Sequence, residues 1–482
     1  MMRTVYFTIL ALLGAILLGS CDDGDTFTMS PNKSLSFSID TVHFDTVFST
    51  IPSSTRSFWV YNKSGDGLRC SSVRLENGNQ TGFRVNVDGA YLSPDQGYKV
   101  NGIEVRNKDS IRVFVELTSA MANTVIPKEI SDNLVFTLES GREQKVTLNA
   151  WSWDAVLLTN SVIEHDSVLA SVSPIVVYGK MTVGEGATLT IAPGTTMYFH
   201  GDAGIDVKGR LICSGTPSAN VVLRGDRLDN MFSYLPYDRM SGQWQGLHFA
   251  GSSYGNDISY TDIHGCFNGV VVDSSDVSRT KIAITNSTVH NCQGDAVRLA
   301  NSKASLVNCQ LTNTLGHCLM VDGGDVEVDN CTLAQFYPFD SSRGSALYFS
   351  GVDKSLQSFM CRNSIITGYS DDEMIWGKPH DGSSNAFNYN FYNCIIRTPE
   401  VDDSLSTYFE KTVFEDVKDT VSYGLKHFVN VDGDMQLYDF HLRATSAAID
   451  AADSATATSS DRDGHQRDDK PDIGAFEYIK QE

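Results

Sequence analysis

The sequence predicts an all-β chain in two parts: an antiparallel β-sandwich over residues 34–154, then a right-handed parallel β-helix over residues 155–482. Three observations carry that reading. Short apolar–polar alternations, broken by clusters of Gly, Asn, Asp and Pro, fill the first part, and period-2 alternation is the mark of half-buried strands. In the second part a unit Asn-(Ser/Cys)-x-(Val/Leu/Ile) recurs at Asn286, Asn308, Asn330, Asn363 and Asn393, with spacings of 22, 22, 33 and 30 residues. Rungs of that length cannot bury an inner face alone and must stack. Finally, the abundant Val, Thr, Asn and Gly and the lack of a sustained 3.6-residue pattern argue against a helical solenoid.

Residues 1–20 read as a secretory signal peptide. Arg3 is followed by an apolar and small-residue run from Thr4 to Gly19, too short and one-sided for a spanning helix. Its ending, Leu18-Gly19-Ser20-Cys21, resembles a bacterial lipobox. The resemblance implies cleavage before Cys21, acylation of its thiol and attachment to a membrane through the acyl chains. Residues 21–33 form an acidic tether. Within it, Asp22-Asp23-Gly24-Asp25 resembles the export signal of Bacteroidetes surface lipoproteins, which implies a lipid-anchored protein of the outer membrane, displayed at the cell surface. With 59 acidic against 37 basic side chains the net charge is −22, which repels phosphate backbones and argues against a nucleic-acid partner.

In the first part the candidate strands include Phe58-Trp59-Val60-Tyr61, Gly82-Phe83-Arg84-Val85-Asn86-Val87, Ile111-Arg112-Val113-Phe114-Val115 and Lys145-Val146-Thr147-Leu148. With an opening Asp45-Thr46-Val47-Phe48 and a closing strand at Trp151, the layout resembles the immunoglobulin-like modules at the front of many Bacteroidetes surface proteins. It lacks the Cys, Trp, Cys spacing of antibody domains, Cys70 being its one cysteine. The part reads as a spacer or docking module.

In the second part each repeat Asn is expected in a tight left-handed turn, with successive amides bonded up the stack as a ladder. Around Asn330 such a turn leaves Val326, Val328, Cys331 and Leu333 facing inward. Cys309, Cys331 and Cys394 share a repeat position with Ser287 and Ser364, and Cys266 shares one with Cys292. No CxxC or zinc-type spacing occurs, so these thiols read as small inward fillers. The entry segment Leu189-Thr190-Ile191-Ala192-Pro193-Gly194-Thr195 and the tail Pro471-Asp472-Ile473-Gly474-Ala475-Phe476-Glu477-Tyr478 are how helices of the pectate-lyase-like family begin and end. Residues 157–478 resemble that family of secreted right-handed β-helix proteins. The resemblance implies the fold, on a scaffold that hosts lyases, hydrolases, adhesins and inert binding proteins alike.

Several residues are candidates for chemistry. A second register of strands, from Gly269, Ala296, Cys318 and Ala346, places His248, Val271, Arg298, Met320 and Tyr348 in one outward column. That column offers the catalytic candidates Arg298 and His248 but no carboxylate cluster of the kind a lyase or hydrolase needs. Three insertions, 225–243, 334–343 and 368–384, are expected to project along one edge and carry a ligand-binding set: Tyr234, Tyr237, Phe336, Tyr337, Trp376, His380 and Arg343. Rings beside charged groups form a stacking platform for sugars, though they serve equally to cap the core beneath long loops. Asp461 and Asp463, with Asp472 returning, are candidate calcium ligands; salt bridges to Arg462 or Arg467 are the competing use. No other cofactor is expected. Three functions stay open: a non-catalytic surface protein binding glycan or a partner protein, a polysaccharide lyase or glycoside hydrolase, and a structural accessory subunit of an outer-membrane complex.

Overall fold

The computed structural model describes residues 26–480 apart from residues 79, 400 and 423. The expected signal peptide and the expected lipidation site, Cys21, lie outside the described residues. The chain divides into two compact units, the first ending at Asp154 and the second beginning at Ala155.

In the first unit the alternating runs are strands. Arg56–Tyr61, Ser110–Leu117 and Phe83–Val87 lie in one sheet, while Leu68–Leu75, Lys128–Leu138 and Glu143–Trp153 lie in another. The pairing is antiparallel except where Thr41–Phe48 runs parallel to Glu143–Trp153. Val60, Val85 and Val113 from one sheet and Cys70, Phe136 and Leu148 from the other belong to one buried apolar cluster.

The second unit is a parallel β-helix. Its rungs stack into three faces, which we number in the order the chain visits them. The first face is an 11-stranded parallel sheet among the described residues, running from Val156–Thr159 to Val413–Phe414. The second and third faces form one continuous 17-stranded sheet, because Val297–Val307 and Leu319–Asp329 run unbroken round the corner between them. Gly324 makes that corner: its φ is +97°, and a Cβ there would sit 2.3 Å from the Ser302 carbonyl oxygen. Alternate residues point inward, so Ile263, Val289, Leu311, Leu333 and Ile366 form one ridge of the core.

The third face returns to the first through the repeat turn. Asn286, Asn308, Asn330, Asn363 and Asn393 all have φ between +47° and +56°, and Tyr260 and Lys411 take the same conformation at the two ends of the series. The residue after the Asn points inward and serves the rung below: Ser364 Oγ accepts from Cys331 N at 3.0 Å, and Ser287 Oγ accepts from Thr261 N at 3.0 Å. The nine described cysteines are all buried free thiols, with Cys266 and Cys292 stacked at 3.4 Å between sulfurs.

The amide ladder differs from expectation. Asn308 donates to Asn286 and Asn393 to Asn363, at 3.0 and 2.9 Å, but Asn330 bonds to neither neighbour. Its oxygen accepts from Thr458 N and its amide donates to the Asp472 carbonyl. The chain after the last rung folds back along the stack, competing for these amides. Its hairpin, Phe428–Asp432 with Leu437–Leu442, and the tail to Tyr478 cover the first face. There Phe428, Phe440, Ile473 and Phe476 bury Phe336, Ile365 and Ile395 in a second apolar cluster.

Candidate functional site

Outward side chains of the first face change character along the stack. One column reads Val222, Asp262, Thr288, Gln310, Thr332, Ile365 and Ile395, and its neighbour reads His264, His290, Thr312, Ala334 and Thr367. The apolar end is sealed by the returning chain, whereas the polar end opens into a cleft of about 600 Å³. One wall is the short turn Tyr237–Arg239 from the first insertion. The opposite wall is the hairpin strand with Leu437, Tyr438 and His441, together with Arg462, Asp463 and Phe476 of the tail. The walls meet where Arg239 Nη1 donates to the Met435 carbonyl at 3.0 Å.

A chain of charges forms the floor. Arg224 Nη1 lies 2.7 Å from Asp238 Oδ1, which also receives His264 Nε2 at 2.9 Å. The other His264 nitrogen, Nδ1, is 2.7 Å from Asp262 Oδ1, and His290 Nε2 reaches the same oxygen at 3.2 Å. The two imidazoles sit on successive rungs with ring centroids 4.8 Å apart. Trp244 fixes the backbone beneath them, donating from Nε1 to the His264 carbonyl at 2.8 Å while stacking on Phe199. Burial opposes charge on His264, but Asp262 and Asp238 outweigh it and raise the imidazole to about 9. Against the same burial, the charges of His264 and His290 hold Asp262 well below the usual carboxylate range. Asp238 is lowered likewise, by His264 and Arg224.

Two further groups are unmatched. Asn291 and Asn313 line the cleft at equivalent turn positions, 4% and 1% exposed, and the Oδ1 of each is buried without a hydrogen-bond partner.

The sequence-derived candidates fall elsewhere. The outward order His248, Val271, Arg298, Met320, Tyr348 on the second face is the one observed. That column is not devoid of carboxylates, however: Asp206 precedes His248 in register, and His248 bridges Asp206 and Asp273 at 3.2 and 3.1 Å. Arg298 is exposed on the same face.

The insertion aromatics form no single platform. The first two insertions do leave between the first and second faces, but Phe336 is fully buried under the hairpin and Tyr337 is 8% exposed. Trp376 belongs to the second-face strand Met374–Gly377 and packs on Phe349, and His380 follows it in the next turn, exposed. Tyr234 stacks in the open on Phe232, and Tyr237 lies under the Arg227 guanidinium. Arg343 sits over Tyr369, about 5.2 Å from its centroid.

The calcium candidates are not gathered either. Asp461 is fully buried, accepting from the backbone N–H groups of Asp463, His465 and Glu477. Asp472 accepts from those of Asp450 and Tyr478, and Asp463 pairs with His441 and Arg462. Carboxylates consumed by backbone donors cap the tail and leave no shell for a hard cation.

The floor itself was missed at the level of sequence. Its signal was His264-Gly265-Cys266 aligning with His290-Asn291-Cys292, two imidazoles at one repeat position.

A family model described as "Right handed beta helix region" matches residues 154–333. No curated protein matches the chain. Among solved structures, a family 123 glycoside hydrolase from Clostridium perfringens is 9% identical over 27% of this chain and 26% of that one, with a TM-score of 0.18. The chain thus spans about a quarter of that enzyme's length, 26%. The catalytic unit of a thermostable GH87 alpha-1,3-glucanase from Streptomyces thermodiastaticus strain HF3-3 is 9% identical over 74% and 88% of the two chains, with a TM-score of 0.25. Dex49A from Penicillium minioluteum is 11% identical over 77% and 74%, with a TM-score of 0.23. The matched region and the stacked rungs together define a right-handed parallel β-helix. Likeness this distant speaks for no activity.

Proposed function

We propose that this chain is a lipoprotein, anchored at the outer membrane through Cys21, whose β-helix binds a neutral glycan in the first-face cleft without cleaving it. The unit before Asp154 acts in this reading as an immunoglobulin-like β-sandwich spacer. The observation that carries the binding assignment is the first-face cleft of about 600 Å³, floored by polar side chains and walled by Tyr438. Polar groups along the cleft suit sugar hydroxyls, and a ring face supplies the stacking surface. The charged floor groups are bonded to one another, and the net charge of −22 disfavours polyanions. Hydrolysis is the poorer fit, because the His264 ring fills the space between Asp238 and Asp262 where a scissile bond would lie.

A panel of neutral and acidic polysaccharides, scored for retention and for new chain ends, tests this. Retention of a neutral glycan without new ends is expected, with Tyr438→Ala weakening it about five- to thirtyfold, or about 1–2 kcal/mol, and Trp376→Ala leaving it unchanged. Turnover, or retention of no member, overturns the reading. For the anchor, cells labelled with a fatty acid should yield a labelled protein that Cys21→Ala abolishes; an unlabelled wild type refutes it.

A further inference from the structure

The geometry points to a divalent transition-metal site on the cleft floor, built from Asp262, His264 and His290. Asp262 and His264 stand two residues apart on one strand, so both point outward, and His290 occupies the position of His264 one rung on. Their ligand atoms, Oδ1, Nδ1 and Nε2, all lie within 4.8 Å of one another. Ligands bonded at about 2.0–2.2 Å round a tetrahedral ion lie about 3.3–3.6 Å apart, so the 3.2 Å between His290 and Asp262 is close to that separation, while the 2.7 Å hydrogen bond between His264 and Asp262 must open by less than an ångström. The imidazoles must also draw together, and His290 is part-exposed at the cleft edge.

The surroundings support a site rather than a mere ion-pair chain. A histidine ligand ordinarily gives its second N–H to a carboxylate, which fixes the ring and its tautomer. His264 does so: Nε2 donates to Asp238, itself held by Arg224. Trp244 pins the backbone of the same residue. Loading clears a proton from each ligating nitrogen: the one on His264 Nδ1, held against Asp262, goes to solvent, and the one on His290 Nε2 goes to solvent or, in the neutral ring, to Nδ1, so that both nitrogens present a lone pair to the ion. Two imidazoles with one carboxylate select a borderline ion such as zinc over calcium or magnesium. Three protein ligands on the floor of an open cleft leave further positions to water or to a cleft ligand. The inference does not depend on what else the cleft holds.

Zinc chloride titrated calorimetrically into the chelator-stripped full chain, with no glycan present, tests the site directly. One ion per chain is expected. His290→Ala and Asp262→Asn should each weaken uptake more than tenfold while circular dichroism shows the fold retained. Asp238→Asn, which leaves all three ligands in place, should weaken it about 10- to 100-fold through loss of orientation. His248→Ala, at the separate His–Asp cluster of the second face, should leave it unchanged. Absence of stoichiometric uptake by the wild type, or uptake indifferent to His290→Ala, overturns the proposal.

Discussion

Each repeat asparagine combines two properties that no single substitution preserves. Its backbone adopts φ near +50°, a conformation that costs most side chains about 1–2 kcal/mol but that Asn tolerates. Its amide meanwhile ties the turn to something else, either the neighbouring rung or the returning tail. Asn330 is fully buried and does the second with both ends of its amide, to Thr458 and Asp472. Asn330→Ala should therefore lose about 2–4 kcal/mol, adding backbone strain to unsatisfied partners. Asn330→Gly, which relieves the strain alone, should lose less. Equilibrium unfolding in denaturant separates the two; equal losses would mean that the backbone term is absent.

At the scale of elements, the returning hairpin and tail convert a bare sheet into a cleft. Their junction is His441, half-exposed, which the bond to Asp463 and the bond and charge of Asp439 raise to about 9 against partial desolvation. Arg462 also faces Asp463, and the Phe476 ring packs on the imidazole at 4.2 Å. A histidine raised on folding stabilises fully below its unfolded value of about 6.5, and that contribution fades as pH climbs through about 9. Hydrogen exchange, corrected for its intrinsic pH dependence, should show Leu437–Leu442 loosening across that window, and His441→Ala should abolish the trend. A His441 resonance titrating at an ordinary value would refute the assignment.

These elements also mark how far the sequence could be read. The Asn turns and the outward order on the second face were legible because rung stacking places equivalent positions of successive repeats beside one another. The cleft was not, since its far wall comes from residues whose partners bear no periodic relation to them. Phe440 and Phe476 look like ordinary strand and tail residues until they meet Phe336 and Ile365. Phe336 and Tyr337 prove to be the core-capping alternative, and sequence could not separate it from a platform for the same reason: a ring in a long loop looks the same whether it faces solvent or the underside of a distant segment. His264 and His290 were visible as repeat partners, but nothing local shows that their face stays open while the next rungs of that face are covered.

Across the whole molecule, chain separation divides the contacts into two classes. Rung meets rung over spans such as 22 residues, from Asn308 to Asn286, or 33, from Cys331 to Ser364. The tail spans far more: Arg462 bonds Thr288 across 174 residues and Asn220 across 242. Contacts between near neighbours in the chain form early in folding, whereas those that close long loops come late and slowly. The solenoid can thus assemble rung upon rung while Tyr438, His441 and Phe476 are still away from it. A nascent or truncated chain that stops short of them acquires the charged floor but not the far wall, so the capacity to hold a ligand arrives last in the life of the molecule, after nearly all of its secondary structure.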